Sequence, residues 1–113
     1  MPQFAFTVAP EHLAVKPSSI KGAGQGLFTL IDLPALAHLG YYTGEELDDR
    51  AASRVPVRKQ KYLVPVGRNF HILGKTKLRF INHSARPNLW MVYSYRWKKA
   101  RFEAARFIRA GEE

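Results

Sequence analysis

No stretch of this chain repeats its apolar residues at helical spacing for more than a few turns, and that constrains the fold more than any single motif. The apolar runs are short. Phe4 to Val8, Leu13 to Val15, Leu27 to Ile31, Leu36 to Tyr42, Lys61 to Val66 and Phe70 to Leu73 have strand length, are rich in β-branched or aromatic residues, and are separated by Gly and Pro. Glu45 to Arg54 is the best helix, acidic at its start, with Arg50 and Arg54 near its end as the helix dipole favours, and stopped before Pro56. The last third reads as a hairpin: Leu89 to Trp97 alternates, Lys98 to Ala100 turns the chain, and Arg101 to Phe107 returns. Large side chains occupy both faces of its first strand, so alternation leaves the core face open. The expected class is mainly β, with short helical turns.

One domain over residues 1–113 is all that 113 residues accommodate, and 46% hydrophobic with 12% aromatic residues suffices to bury a core. Cysteine is absent, which removes disulfides, thiolate nucleophiles and Cys-ligated metals. No apolar run approaches the roughly 18 residues of a membrane span, and Met1 to Pro10 lacks the basic and apolar regions of a secretory signal. The expectation is a soluble protein without a membrane partner, cytoplasmic if bacterial.

Charge is unevenly placed. Residues 1–53 hold three basic and six acidic side chains, whereas residues 54–113 hold fifteen and three. The basic half has two readings. It could be a nucleic-acid footprint, in which Arg58, Lys59, Lys61, Arg68, Lys75, Lys77, Arg96, Lys98, Lys99 and Arg101 meet phosphates and Trp90, Tyr93, Tyr95 and Trp97 stack on bases. The plainer reading, a solvated basic surface, is favoured because the cations are scattered and match no named nucleic-acid motif.

Two stretches carry more chemistry. Ser18-Ser19-Ile20-Lys21-Gly22-Ala23-Gly24-Gln25-Gly26-Leu27-Phe28 places three glycines in five residues, allowing positive φ and close approach of backbone to a ligand. It fits neither a P-loop nor a dinucleotide-binding turn, and by itself it is a turn between strands. Arg79-Phe80-Ile81-Asn82-His83-Ser84-Ala85-Arg86-Pro87-Asn88 reads by itself as a polar loop, since Asn and Ser favour turns and Pro87 stops a helix. Adjacent residues on an extended chain point apart, so His83 is poorly placed to activate Ser84. His12, His38, His71 and His83 lack the paired spacing of zinc motifs.

Taken in order, these segments together with Tyr41-Tyr42-Thr43-Gly44-Glu45 and the closing Ile108-Arg109-Ala110-Gly111-Glu112-Glu113 resemble the SET domain, the fold of most protein-lysine methyltransferases. The resemblance runs from about Val15 to Glu113, and Phe-x-Asn-His-Ser-x-x-Pro-Asn is its most specific part. It implies several small curved sheets, with S-adenosylmethionine on one face and a substrate lysine entering a narrow channel from the other. By this carry-over the backbone around Gly24, Gln25 and Gly26 receives the methionine end of the cofactor, Asn82 bonds its amino group, and His83 meets the adenine. Tyr42 stands at the channel as the catalytic and substrate-binding residue, with Glu45 beside it. Lys21 and Arg79 read as solvated cations rather than cofactor ligands. The implied partner is a lysine-containing protein or peptide.

The resemblance has departures. In the family Gly-Glu-Glu is followed by Leu and then an Asp-Tyr pair that tucks under the Asn-His-Ser loop and supplies a channel tyrosine, whereas the given sequence stops at Glu113. The expectations that follow are a shortened sequence or a catalytically inactive binding module. Ala85 stands where many eukaryotic relatives have Cys, and the lack of Cys-rich flanks looks more like bacterial or viral members. The insert from about Arg50 to Gly74, which shapes peptide selectivity in the family, is short and basic. A basic tail would be repelled by the basic half and held by Glu45, Glu46, Asp48 and Asp49, leaving that half for nucleic acid or another acidic partner. A homodimer is a further expectation, from edge pairing of a small β-rich chain.

Overall fold

The computed structural model describes residues 4–84 and 86–113; Ala85, the position of the Cys departure, lies outside them. Among the described residues, eight short strands form three antiparallel sheets. β1 (Leu13–Pro17) pairs with β2 (Gln25–Thr29), with Val15 opposite Leu27. β3 (His38–Tyr41), β8 (Lys99–Ala104) and β7 (Leu89–Ser94) make a second sheet in that order, and β4 (Gly44–Leu47), β6 (Phe70–Gly74) and β5 (Leu63–Gly67) a third. The helical content of the described residues is α1 (Asp49–Ser53) and three 3₁₀ turns, Pro10–His12, Val57–Tyr62 and Lys77–Phe80. The architecture is mainly β, as the apolar pattern implies.

Where the three sheets meet, one core forms around Leu33, Leu39, Val66, Ile72, Phe102 and Ile108. β8 buries Ala100, Phe102 and Ala104 on one face, and their cross-strand partners Tyr93, Met91 and Leu89 share that face. Leu89 and Met91 pack on the core, whereas Tyr93 beyond them stays exposed. This settles the face that alternation left open.

Several boundaries differ from those the sequence suggests, each for a tertiary reason. Glu45 to Arg54 is not one helix: Gly44–Leu47 is drawn into β4 by pairing with β6, and only Asp49–Ser53 is helical. The helix begins where the Asp48 carboxylate accepts the Ala51 N–H at 2.8 Å. Gly44 makes the pairing possible, because a Cβ there would run into the Leu73 carbonyl. The final hairpin turns earlier than Lys98 to Ala100. β7 ends at Ser94, whose Oγ accepts the Trp97 N–H at 3.3 Å, and Lys98 takes a left-handed φ of 53°, so Tyr95 and Trp97 belong to the turn. Phe4 to Val8 is not a regular strand; it meets β3 through a single bridge, Thr7 to His38. Leu36 lies before β3 at φ 69°, and Lys61 and Tyr62 end a 3₁₀ turn rather than start β5.

Candidate functional site

Three segments far apart in sequence converge beside β2. The glycine-rich turn is closed by the Ser18 N–H on the Gly24 carbonyl at 2.8 Å, with Gly24 at φ +72°, a conformation L side chains rarely adopt. Nothing lies within 4 Å of where a Gly24 Cβ would be, so its backbone is open to a ligand. The closing segment docks on the end of β2: Thr29 donates to the Glu112 carbonyl at 3.0 Å and Gly111 to the Thr29 carbonyl at 2.7 Å. Asn82 brings in the third segment by donating to the Gln25 carbonyl at 2.9 Å.

The Glu113 carboxylate ties all three together. It accepts from Ser18 Oγ at 2.5 Å, from Ser19 N at 3.0 Å and Oγ at 2.6 Å, and from Asn82 Nδ2 at 3.3 Å. Burial pushes this carboxyl up, but the donors on Ser18, Ser19 and Asn82 outweigh it and hold it below its ordinary value. Gly26 is required beneath it, since a Cβ there would meet the Glu113 carboxylate. Asn88 completes the latch, donating to the Glu113 carbonyl at 2.7 Å. Beside the latch lies a cavity of about 330 Å³ bounded by Ser19, Phe28, Leu39, Asn82, Asn88 and Glu113, a volume that suits a small ligand.

A second cavity of about 460 Å³ is lined by Tyr41, Tyr42, Glu46, Phe70, Trp97 and Lys99, among others. Tyr42 is only 4% exposed, and its hydroxyl donates to the Tyr62 carbonyl at 2.6 Å. Burial pushes the phenol up to about 12, opposed by the nearby Arg79 charge and reinforced by Tyr62. It therefore stays a neutral hydroxyl across the physiological range. Gly74 seats the ring, because a Cβ at that position would strike the Tyr42 hydroxyl. β3 joins the two cavities: Leu39 lines the first and Tyr42, three residues on, the second, about 10 Å along an extended chain.

The residues singled out from sequence are thus partly gathered. Gly24, Gln25, Gly26 and Asn82 meet at the latch, while Tyr42 stands apart at the second cavity. His83 is exposed and outside the lining of the first cavity. Glu45 is exposed on β4, and its neighbour Glu46 lines the second cavity. Arg79 is engaged with backbone, donating to the Lys75 carbonyl at 2.6 Å, and its guanidinium covers the Phe80 ring. Sequence reasoning missed Ser18, Ser19, Glu113 and Gly74. The first three lie inside motifs it had singled out, but only the fold brings their side chains together. Among the described residues no cluster of His, Asp and Glu could hold a metal, and no helix is long and apolar enough to cross a membrane.

The sequence matches the family model of the SET domain over residues 24–113. This chain belongs to the SET-domain family. Solved structures with the same fold include a humanized mutant of the Chaetomium thermophilum Polycomb Repressive Complex 2 bound to an inhibitor, with TM-score 0.76 and 25% identity over 89% of this chain and 14% of that one. The apo form of that complex, carrying two substitutions in Ezh2, gives TM-score 0.76 and 26% identity with the same coverage. A third structure of the complex, at 24% identity and TM-score 0.73, shows the shared fold alone. The SET domain described here thus corresponds to a small part of those chains. None of the curated proteins matches the sequence. SET-domain enzymes are protein-lysine methyltransferases that use S-adenosylmethionine.

Proposed function

We propose that this SET domain transfers a methyl group from S-adenosylmethionine to the side-chain nitrogen of a lysine in a protein or peptide. The observation that carries the reading is the pair of cavities joined by β3, one beside the glycine turn and one around a buried phenol. Such a cofactor is a zwitterion with a sulfonium, so it needs close backbone approach, an acceptor for its ammonium and a partner for its carboxylate. The residues fit. Gly24 exposes its backbone, and Asn82 commits both amide hydrogens to Gln25 and Glu113, which leaves its carbonyl oxygen to accept. The ionised Glu113 adds negative potential suited to a sulfonium, and Arg86 lines the same cavity as a partner for a carboxylate, whereas Arg106 beside it is paired with Glu112 at 3.2 Å. His83 and the backbone of Gln25 and Gly26 are the remaining contacts in this reading.

S-adenosylmethionine, when bound, supplies a methyl group activated by its positive sulfur. The protein's task is alignment and desolvation. Tyr42 donates its proton to the Tyr62 carbonyl, so its oxygen is left to accept a hydrogen bond from the incoming amine. At about 12 its phenol is too weak an acid to be the phenolate that would take the lysine proton, and the lysine must shed that proton to solvent before closing in. Glu46 at the same cavity attracts the cationic lysine beforehand, with Glu45, Asp48 and Asp49 extending the acidic approach.

Calorimetric titration with S-adenosylmethionine, followed by transfer of labelled methyl to lysine peptides, tests the reading. Saturable binding is expected, weakened about five- to hundred-fold by Asn82→Ala. Tyr42→Phe is expected to bind the cofactor normally and transfer more slowly. A folded chain that does not bind the cofactor overturns the proposal, and one that binds but methylates no lysine peptide is a binding module.

A further inference from the structure

The exposed aromatic surface of this protein is concentrated on the β7–β8 hairpin, and apart from Trp97, which also lines the second cavity, methyl transfer leaves it without a role. Trp90, Tyr93, Tyr95 and Trp97 are 53%, 51%, 64% and 66% exposed. One such side chain is ordinary, but Tyr93, Tyr95 and Trp97 gather at the tip of the hairpin, Tyr93 edge-on to Tyr95 at 6.4 Å between ring centres, and form a patch of the kind that marks a binding surface, while Trp90 lies on the opposite face of β7 from Tyr93. The turn is held in place: Lys98 lies with its stem near Gly67 and its ammonium 5.1 Å from the Phe70 ring centre, so the aromatic residues beside it are presented on a fixed support.

Cations are interleaved with the rings. The Arg96 guanidinium lies 5.1 Å from the Trp97 ring centre and the Lys99 ammonium 5.3 Å from that of Tyr41. These contacts orient the charges without neutralising them. Among the described residues, Arg96, Lys98 and Lys99 have no carboxylate partner, whereas Arg101 is paired with Glu103 at 3.2 Å. A cavity of about 370 Å³ opens on the same sheet among Tyr41, Val92, Trp97, Lys99 and Arg101.

The geometry points to single-stranded nucleic acid as the occupant of this hairpin, its bases stacked on Trp97 and the neighbouring tyrosines and its phosphates on Arg96, Lys98 and Lys99. Charge complementarity requires a polyanion, and the flat exposed rings select among polyanions. An acidic peptide supplies charge without planar faces, and a duplex keeps its bases stacked on one another, whereas a single strand offers both a π-face and a phosphate at every nucleotide. The surface adjoins the second cavity through Trp97 and Lys99, yet the inference requires neither cofactor nor lysine.

Fluorescence anisotropy of labelled oligothymidylate and oligouridylate with the full chain, without S-adenosylmethionine, tests it. Binding is expected to weaken between about 50 and 200 mM salt with a log–log slope near −2, about −0.7 for each of three phosphates. Trp97→Ala should weaken it about five- to hundred-fold and Trp97→Phe much less. The Lys98→Ala/Lys99→Ala pair should flatten the slope by about 1.4. Arg109→Ala, in the closing segment that docks on β2 rather than in the hairpin, should leave affinity and slope unchanged. The proposal is overturned by absent binding at about 50 mM salt, equal affinity for duplex, indifference to the hairpin substitutions, or binding only to phosphatidylserine vesicles.

Discussion

Gly26 shows how much a single side chain's absence decides here. Alanine at this position would place its Cβ against the Glu113 carboxylate, a flexible group that must then leave its donors on Ser18, Ser19 and Asn82. Gly26→Ala and Glu113→Ala should each lower stability by about 1–2 kcal/mol, the size of a partly exposed, charge-assisted set of hydrogen bonds. Because both remove the same contacts, the double variant should be little worse than either alone. Urea denaturation of the three variants reads this directly; simple additivity would mean that Gly26 and Glu113 act independently. The same carboxylate explains why the motif residues were visible and their connection was not, since Ser18 and Glu113 are 95 positions apart.

α1 illustrates the competition at the level of elements. The acidic run from Glu45 carries a helix-start signal, but β6 offers backbone partners that local propensity cannot anticipate, and its first three residues, Glu45 to Leu47, join the sheet instead. What remains is a five-residue helix capped by Asp48, with Asn69 accepting the Asp49 N–H at 2.8 Å from the β5–β6 turn. A helix this short depends on such caps. Asp48→Ala should cost about 0.5–1 kcal/mol and Asp48→Asn much less, measured by thermal unfolding. Equal effects would assign the loss to charge rather than to the cap.

At the scale of the whole molecule, His38 connects β3 to the amino-terminal segment and to β8. It is 5% exposed, stacked on Phe4 at 3.8 Å between ring centres, edge-on to Tyr41, and its Nδ1 has no partner. Burial lowers its pKa, the Arg101 charge lowers it further, and Glu103 acts in the opposite direction. The folded state thus resists protonation more than the unfolded state does. Stability is fully present above the ordinary histidine value of 6.5 and declines as pH falls below it towards the lowered folded value. Denaturation midpoints followed downward from neutral pH should show this slope, at most about 1.4 kcal/mol per pH unit, and His38→Phe should remove it. A slope unchanged by that substitution would place the titration elsewhere.

The strand-length apolar runs, the glycine turn and the Asn-His-Ser segment specified a β-rich SET domain from sequence alone, because periodicity, glycine and proline act locally and the family's motifs keep their order along the chain. Only the tertiary structure decided that Glu45 begins in a strand, that Tyr95 and Trp97 form a turn, that Glu46 faces the cavity around Tyr42, and that Glu113 holds Asn82 to the glycine turn. Those outcomes depend on backbone partners and carboxylate donors supplied by distant segments, which acquire their positions only when the sheets close around Leu33 and Val66.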